Sequence, residues 1–322
     1  MKIVLSSVIV PNPDLEEEIL RKFDYDFVFV PNEDDNRFLG EIEDADAIVI
    51  ADKKINKDTI DRMKKCKVIV RQGIGFDSID INYAKEKGIS VCNVPDYSIE
   101  EVSEFTVALV LNLARHINSY DSYVRKGVWD IQSVYNLGKF PPMRRSSTQT
   151  LGIIGLGRIA KLVAKKAKPF GFKIISYDPF VPENIAKELG VTLVSLDNLL
   201  QESDFITINV PLNKDTYHLI NSETLNKMKE TAYLVNTARG PHVCEDDLYD
   251  ALKNKRIAGA AIDVTENEPI DVDSKLLKLD NLIVTPHAAF FTKDSFEELR
   301  RRALEEAIRV LEGKEPINRV NK

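Results

Sequence analysis

The chain has 322 residues, 43% of them hydrophobic and 30% charged, and a formal net charge of −7; this describes a folded protein of two domains and disfavours nucleic acid as a partner. Its longest apolar runs, such as "TVALVLNLA" at 106–114, fall well short of the ~20 residues that a membrane span needs. Three scattered cysteines, Cys66, Cys92 and Cys244, include no C-x-x-C pair, so neither a disulfide framework nor a structural zinc is expected, and a reducing, cytoplasmic setting is.

Short β-rich runs alternate with helical patterns along the chain, which predicts parallel sheets built from βαβ units. The first run, "KIVLSS" at 2–7, is read as a strand and not as a signal peptide, because no small-residue cleavage site follows it. "FVFV" (27–30), "AIVI" (47–50) and "KVIV" (67–70) follow as strands, with helices expected over 15–23 and 57–65. One long helix is expected from Ser98 to about Arg125, with Val102, Phe105, Thr106, Leu109, Leu113 and His116 at helical spacing. It suits a connection between domains or a dimer surface. Residues 131–150 are rich in Ser, Thr and Pro and read as a loop. Six further strands are predicted at 150–155, 173–178, 205–210, 232–237, 258–263 and 281–286, enough for a complete dinucleotide-binding fold. A final helix at 294–313 ends at a glycine.

The stretch "TLGIIGLGRIAKLVAKKAKPFGFKIISYDPF" (150–180) carries the strongest motif. It reads G-x-G-x-x-A, with Gly155 for the tight turn, Gly157 for backbone approach to a pyrophosphate, and Ala160 for close helix–strand packing. The following helix offers its N–H groups and positive dipole end to phosphates, and Arg158 adds charge. Asp178, at the end of the next strand, can accept hydrogen bonds from a ribose and would repel a 2′-phosphate. NAD is therefore expected rather than NADP.

Three polar residues stand just beyond predicted strands of this half: Arg239 in "NTARG", Glu268 in "ENEP" and His287 in "TPHAAF". Ligands of open parallel sheets bind outside the carboxyl ends of the strands. An imidazole titrates near neutral pH and suits the exchange of a hydroxyl proton during hydride transfer. A carboxylate fixes the imidazole tautomer, and an arginine grips a substrate carboxylate through a paired hydrogen-bond fork. Each residue has a bland alternative: a satisfied core histidine, a surface ion pair, a turn residue. His116, His218 and His242 are read as structural or exposed.

These residues resemble the D-isomer-specific 2-hydroxyacid dehydrogenases. The resemblance runs from about Lys67 to Leu311. It includes "VRQGIGFDSIDINYAKEKGISVCNVPDYSIEEVSEFTVALVLNLAR" (70–115), the cofactor fingerprint, "LVNTARG" (234–240), "AGAAIDVTENEP" (258–269) and "TPHAAF" (285–290). The phosphoglycerate dehydrogenase-like and C-terminal binding protein-like branch is the most similar. The resemblance implies two Rossmann-like doubly wound domains with the active site in the cleft between them. Residues 1–99 plus 291–322 would form a discontinuous substrate domain, and residues 100–290 the NAD domain. It implies an Arg239–Glu268–His287 triad, and backbone N–H groups of Ile74 and Gly75 that hold the substrate carboxylate. Val102 would lie beside the nicotinamide and Asp263 would bind its carboxamide. Ile159, Asn209, Pro211, Thr216, Thr237 and Ala238 would line the cofactor. A homodimer and a small 2-hydroxy or 2-keto acid substrate are implied as well.

Departures from the pattern are Asn209 where histidine is common, Ser103 for alanine, and Pro241, His242 and Cys244 for glycine, an aliphatic and aspartate. Phe290 and Phe291 add bulk beyond His287. Arg71 either reads a second anionic group of the substrate or pairs with Asp77 or Asp80. An NAD(H)-sensing interaction protein, like the C-terminal binding proteins, is the alternative to an enzyme.

Overall fold

The protein is described from a computed structural model that covers residues 1–10, 12–129 and 143–322. The chain divides into two compact units, Met1–Tyr97 with Phe291–Lys322, and Ser98–Phe290.

The first unit holds β1 (Lys2–Ser6), α1 (Asp14–Leu20), β2 (Asp26–Val30), α2 (Asp35–Glu41), β3 (Ala47–Ile50), α3 (Lys57–Arg62), β4 (Val68–Arg71), α4 (Ile81–Glu86) and β5 (Ser90–Cys92). All five strands are parallel, in the order β2-β1-β3-β4-β5. β3 is buried along its whole length, as expected of a parallel strand covered by helices on both faces. Val4, Ile48, Ile50, Ile69 and Val91 form the core on one side of this sheet. No separate element is predicted for the stretches that hold α2, α4 and β5. α2 and α4 are only seven and six residues long, too short for a periodicity to stand out.

The second unit opens with α5 (Ile99–Arg115) and α6 (Ile117–Arg125). The single long helix expected over 98–125 is therefore two. His116 takes a left-handed conformation, φ 52°, and stops the first helix. Its N–H is held by carbonyls of the preceding turn, and Asn112 and Asn118 pair across the break through two hydrogen bonds. The buried His116 ring meets Tyr233 edge-on. Of the loop expected over 131–150, residues 131–142 lie outside the described residues; 143–149 are non-strand, with a short 3-10 turn at Ser146–Thr148.

There follow β6 (Thr150–Ile154), α7 (Arg158–Ala167), β7 (Lys173–Tyr177), α8 (Glu183–Leu189), β8 (Thr192–Leu193), α9 (Leu196–Glu202), β9 (Phe205–Ile208), α10 (Ser222–Lys227), β10 (Tyr233–Asn236), α11 (Glu245–Lys253), β11 (Gly259–Ile262) and β12 (Leu282–Val284). The sheet has seven parallel strands rather than the six expected, in the order β12-β11-β10-β9-β6-β7-β8. The extra strand, β8, is two residues long and sits at the edge. Leu151, Ile153, Phe205, Val235 and Ala261 face one core, and Ile154, Ile206, Ile208, Leu234 and Ile262 the other. This alternation is what a strand period of two produces in a sheet covered on both sides. The strand order reverses between β6 and β9, a topological switch point whose carboxyl ends are where such sheets bind ligands.

The last helix, α12 (Lys293–Leu311), belongs to the first unit and packs on α1, β3 and β4. Thr292 and Ser295 cap its start reciprocally, and Gly313 follows its end. A buried fork joins it to α1: Arg300 Nε donates to Glu16 Oε1 at 2.9 Å and Nη2 to Glu16 Oε2 at 2.5 Å.

Candidate functional site

At the switch point the backbone leaves β6 through Gly155, whose φ is +85°. A methyl group there would sit 2.7 Å from both the Asn209 carbonyl and a Val210 methyl, so the turn demands glycine on two independent grounds. Above Gly157 the opposite holds: a Cβ would meet nothing within 4 Å. Gly157 is the N-cap of α7 and provides no side-chain cap, which leaves the first N–H groups of that helix directed into open space. Ala160 is fully buried against the sheet. Asp178 follows β7 and accepts from Leu156 N at 2.7 Å, Phe180 N at 2.9 Å and Val181 N at 3.2 Å. Its carboxylate thus ties the glycine turn to the end of the neighbouring strand. An open cradle of backbone donors with an acidic group beside it fits a dinucleotide.

Asn209, Pro211 and Thr216 form the loop beyond β9. Asn209 N donates to Ile154 O at 2.8 Å, and its side chain donates to Thr207 Oγ1 at 3.2 Å. Thr216 Oγ1 donates to Pro211 O at 2.7 Å and accepts from Asn213 N at 2.9 Å, so it shapes its own loop. Thr237 is buried at the end of β10, and its hydroxyl meets that of Thr106 at 2.7 Å. Thr106 Oγ1 in turn lies 2.7 Å from the carbonyl of the buried Val102 on α5.

β10, β11 and β12 end on the same edge as β6 because all are parallel. The loops beyond them carry Arg239, Glu268 and His287. His287 Nδ1 and Glu268 Oε2 are 2.7 Å apart. Both side chains are 40% exposed, so the pair is open to a small molecule. Burial would push the Glu268 carboxyl up, yet the His287 hydrogen bond and charge, the Thr265 N–H and the Arg239 charge together hold it below the ordinary carboxylate range. Glu268 is consequently an anion at neutral pH, and Nδ1 of His287 must carry a proton to bond it. That leaves Nε2 as the ring nitrogen not engaged by Glu268.

Two buried residues set this geometry. Asp263, 1% exposed at the end of β11, accepts from Thr285 Oγ1 at 2.6 Å, Ala288 N at 2.9 Å and Ala289 N at 2.8 Å. His287 N donates to the Asp263 carbonyl at 2.7 Å, and His287 itself is left-handed at φ 53°. The aspartate therefore clamps a strained turn that presents the imidazole. Asn236, fully buried, accepts from Ala238 N at 3.0 Å and donates to Arg239 O at 2.8 Å. His242 N and Nδ1 reach the same carbonyl at 3.2 Å and 3.1 Å. The backbone of Arg239 is thus held from three directions, while its Nη1 donates to Ala238 O at 2.7 Å. Thr106 is expected only as a helix position and Asn236 not as a site residue at all, although a polar residue closing the apolar strand "YLVN" points to a turn function for Asn236.

In the other unit, Arg71 ends β4 and its Nη1 donates to Gln72 O at 2.7 Å. Asn93 Nδ2 donates to Ile74 O at 2.6 Å and Val94 N to Gly73 O at 3.1 Å. Across a trans peptide the N–H points opposite to the C=O, so pinning these two carbonyls aims the N–H groups of Ile74 and Gly75 the other way.

Residues 107–289 match the NAD-binding domain of the D-isomer specific 2-hydroxyacid dehydrogenases. A glyoxylate reductase of Korarchaeum cryptofilum is 40% identical over 285 residues, 87% of this chain and 84% of that protein. A D-3-phosphoglycerate dehydrogenase of Methanocaldococcus jannaschii is 41% identical over 285 residues, 88% of this chain but only 53% of that protein, so this chain spans about half of it. The D-lactate dehydrogenase of Aquifex aeolicus, solved with NAD and lactic acid, superposes with a TM-score of 0.85 at 33% identity over 99% of both chains. With the glycine cradle and the parallel-sheet architecture, these likenesses lead to one conclusion: the chain belongs to the D-isomer specific 2-hydroxyacid dehydrogenase family and is an NAD-dependent oxidoreductase that interconverts 2-hydroxy and 2-keto acids.

Proposed function

We propose that Arg239, Glu268 and His287 carry this interconversion on a D-2-hydroxy acid, with His287 as the acid–base group. The observation that supports it most directly is the 2.7 Å His287–Glu268 pair beyond β11 and β12. When bound, NAD supplies the hydride acceptor for oxidation, and its reduced form the donor for reduction. Gly155, Gly157, Arg158, Ile159 and Asp178 would hold its phosphates and ribose, and Asn209, Pro211, Thr216, Thr237, Ala238, Asp263 and Val102 would line the remainder. In reduction the protonated His287 gives its Nε2 proton to the substrate oxygen; in oxidation the neutral ring takes the hydroxyl proton there. Glu268 keeps the ring in the required tautomer and stabilises the imidazolium. Arg239 grips the carboxylate and polarises the carbonyl, and the N–H groups of Ile74 and Gly75 bind the carboxylate.

The test is His287→Gln, which keeps a hydrogen-bonding side chain but cannot exchange a proton. General acid–base work contributes about 10²–10⁴-fold, so kcat should fall by that much while NADH binding is retained. Turnover within threefold of wild type would defeat the assignment.

We also infer that Arg71 sets preference for the far end of the substrate, favouring an anionic tail. Its guanidinium lies over Gly73, where a Cβ would meet Nη1 at 1.2 Å, and so crowns the loop that carries Ile74 and Gly75. Arg71→Ala should shift the ratio of kcat/KM between phosphohydroxypyruvate and glyoxylate at least tenfold toward glyoxylate; an unchanged ratio removes Arg71 from specificity. The same reading takes the protein as a homodimer through the face beyond α5. α6 buries none of its residues, and Ile117, Val124, Val128 and Trp129 are exposed, the last at 83%. A single-chain mass by light scattering would exclude it.

A further inference from the structure

Three side chains from separate loops of the second unit converge. His218 stands in the loop before α10, Cys244 at the N-cap of α11, and Glu266 in the loop after β11. One ligand atom from each lies within 4.8 Å of the other two, and each residue is partly buried. His218 Nε2 is 3.3 Å from Glu266 Oε1, is itself inaccessible to solvent, and makes no hydrogen bond among the described residues. A buried ring nitrogen left without a hydrogen bond is uncommon and calls for an explanation.

We propose that His218, Cys244 and Glu266 form a binding site for a late first-row divalent cation, zinc by preference. The donor set is one imidazole nitrogen, one sulfur and one carboxylate oxygen, which zinc accepts and calcium or magnesium does not. Tetrahedral zinc with Zn–N and Zn–O bonds of ~2.0–2.2 Å separates two such ligands by about 3.3–3.5 Å. The His218–Glu266 separation already has that length. The 4.8 Å limit on the cysteine sulfur requires a closure of about 1 Å at most, which rotation about one side-chain bond supplies. Water completes the fourth position. Binding exchanges the Cys244 thiol proton for the metal, and the proton leaves to solvent.

The surroundings are built to hold these donors in place. His218 N donates to Pro241 O at 2.8 Å and its carbonyl accepts from Asn221 Nδ2 at 3.0 Å. The ring stacks on Tyr217, with centroids 4.0 Å apart. Cys244 N donates to Ile220 O at 2.8 Å. Glu266 Oε1 accepts from Glu245 N at 2.9 Å, and Glu266 N donates to Glu245 Oε1 at 2.6 Å. Outer hydrogen bonds of this kind orient metal ligands and tune affinity. The loops also touch without a metal: a Cβ on Gly240 would stand 1.9 Å from Thr265 O. A bound cation would therefore fasten together three loops, one following Arg239 and one preceding Glu268. The site uses none of Arg239, Glu268 and His287 as a ligand, and its test does not read turnover.

The experiment is a Co²⁺ titration of the untagged full chain, followed by absorption. One equivalent should bind, with a thiolate-to-cobalt band in the near ultraviolet, and equimolar Zn²⁺ should displace it. Cys244→Ser should remove the band, and His218→Gln should weaken binding at least tenfold. Cys66 and Cys92 give no background, being buried in the other unit. Absence of the thiolate band under excess cobalt overturns the proposal, as does its persistence in Cys244→Ser. Should Cys244→Ser fail to fold, His218→Gln decides alone: wild-type affinity in that variant places the metal elsewhere and overturns the site.

Discussion

Replacing Asp263 with asparagine should cost both stability and rate, in amounts that the structure fixes. The carboxylate is 1% exposed and accepts three hydrogen bonds, from Thr285 Oγ1, Ala288 N and Ala289 N. Asparagine keeps one acceptor oxygen and puts an NH₂ group where the other stood, so at least one backbone N–H faces a donor. A hydrogen bond to a charged group is worth about 1.5–3 kcal/mol, and a buried donor left unpaired costs about 1–3 kcal/mol more. The sum, about 2.5–6 kcal/mol, should appear as a lower denaturant midpoint of the second unit. The same bonds hold His287 in its left-handed conformation, φ 53°, which costs about 1–2 kcal/mol for a residue with a Cβ. Once the turn is released, His287 leaves its bonding distance to Glu268 for part of the time. A loss of about 2.7 kcal/mol at the transition state corresponds to a hundredfold fall in kcat. The assays are guanidinium unfolding and steady-state kinetics with a 2-keto acid. Stability within 1 kcal/mol of wild type together with kcat within threefold would refute the clamp. An NADH affinity that falls far more than kcat would show that the carboxylate serves the cofactor before it serves the turn.

Gly155→Ala should abolish NADH binding measured by fluorescence while leaving the first unit folded, since the new methyl would overlap the Asn209 carbonyl and Val210 at 2.7 Å; unaltered affinity would mean that the turn relaxes freely. Glu16→Gln should destabilise the first unit by about 3–5 kcal/mol, because it strands the buried Arg300 charge. Adding Arg300→Met should recover most of that loss, and a double mutant no better than the single would argue that packing matters more than charge. Burial pushes the Cys66 thiol up to about 12, and burial with the nearby Glu306 charge does the same to Cys92. Both folded values lie above the unfolded thiol's, so this contribution to stability is whole below the ordinary thiol range and is lost as pH rises through it toward about 12. At pH 8 a disulfide exchange reagent should label at most one thiol, Cys244, in the native protein and three after unfolding; rapid native labelling of two or more would contradict the burial.

Much of the site was legible in order along the chain. G-x-G-x-x-A after a strand and before a helix specifies a backbone shape, and Asp178 at the end of the following strand specifies its acidic partner; both are local consequences of residue type. Arg239, Glu268 and His287 could be picked out because parallel strands put all their carboxyl ends on one edge, so residues just past three strands must share it. The sequence also marked the buried strands, whose unbroken apolar runs need helices on both faces. Local pattern failed where a helix changed direction without a proline or glycine. The break at His116 depends on the Asn112–Asn118 pair and on Tyr233, more than a hundred residues away. It failed again for β8, which is strand only because β7 lies beside it. The work of Asp263 and Asn236 was hidden for a related reason: each closes an apolar strand, and which turn its side chain holds depends on the loops that fold back over it. The gathering of His218, Cys244 and Glu266 was wholly invisible in one dimension. Their spacing follows no metal-binding pattern, and they meet because β9, β10 and β11, whose following loops carry them, are successive neighbours in the sheet. Residue type thus determined the chemistry available at each strand end, whereas the choice of which ends became neighbours belonged to the order of the strands.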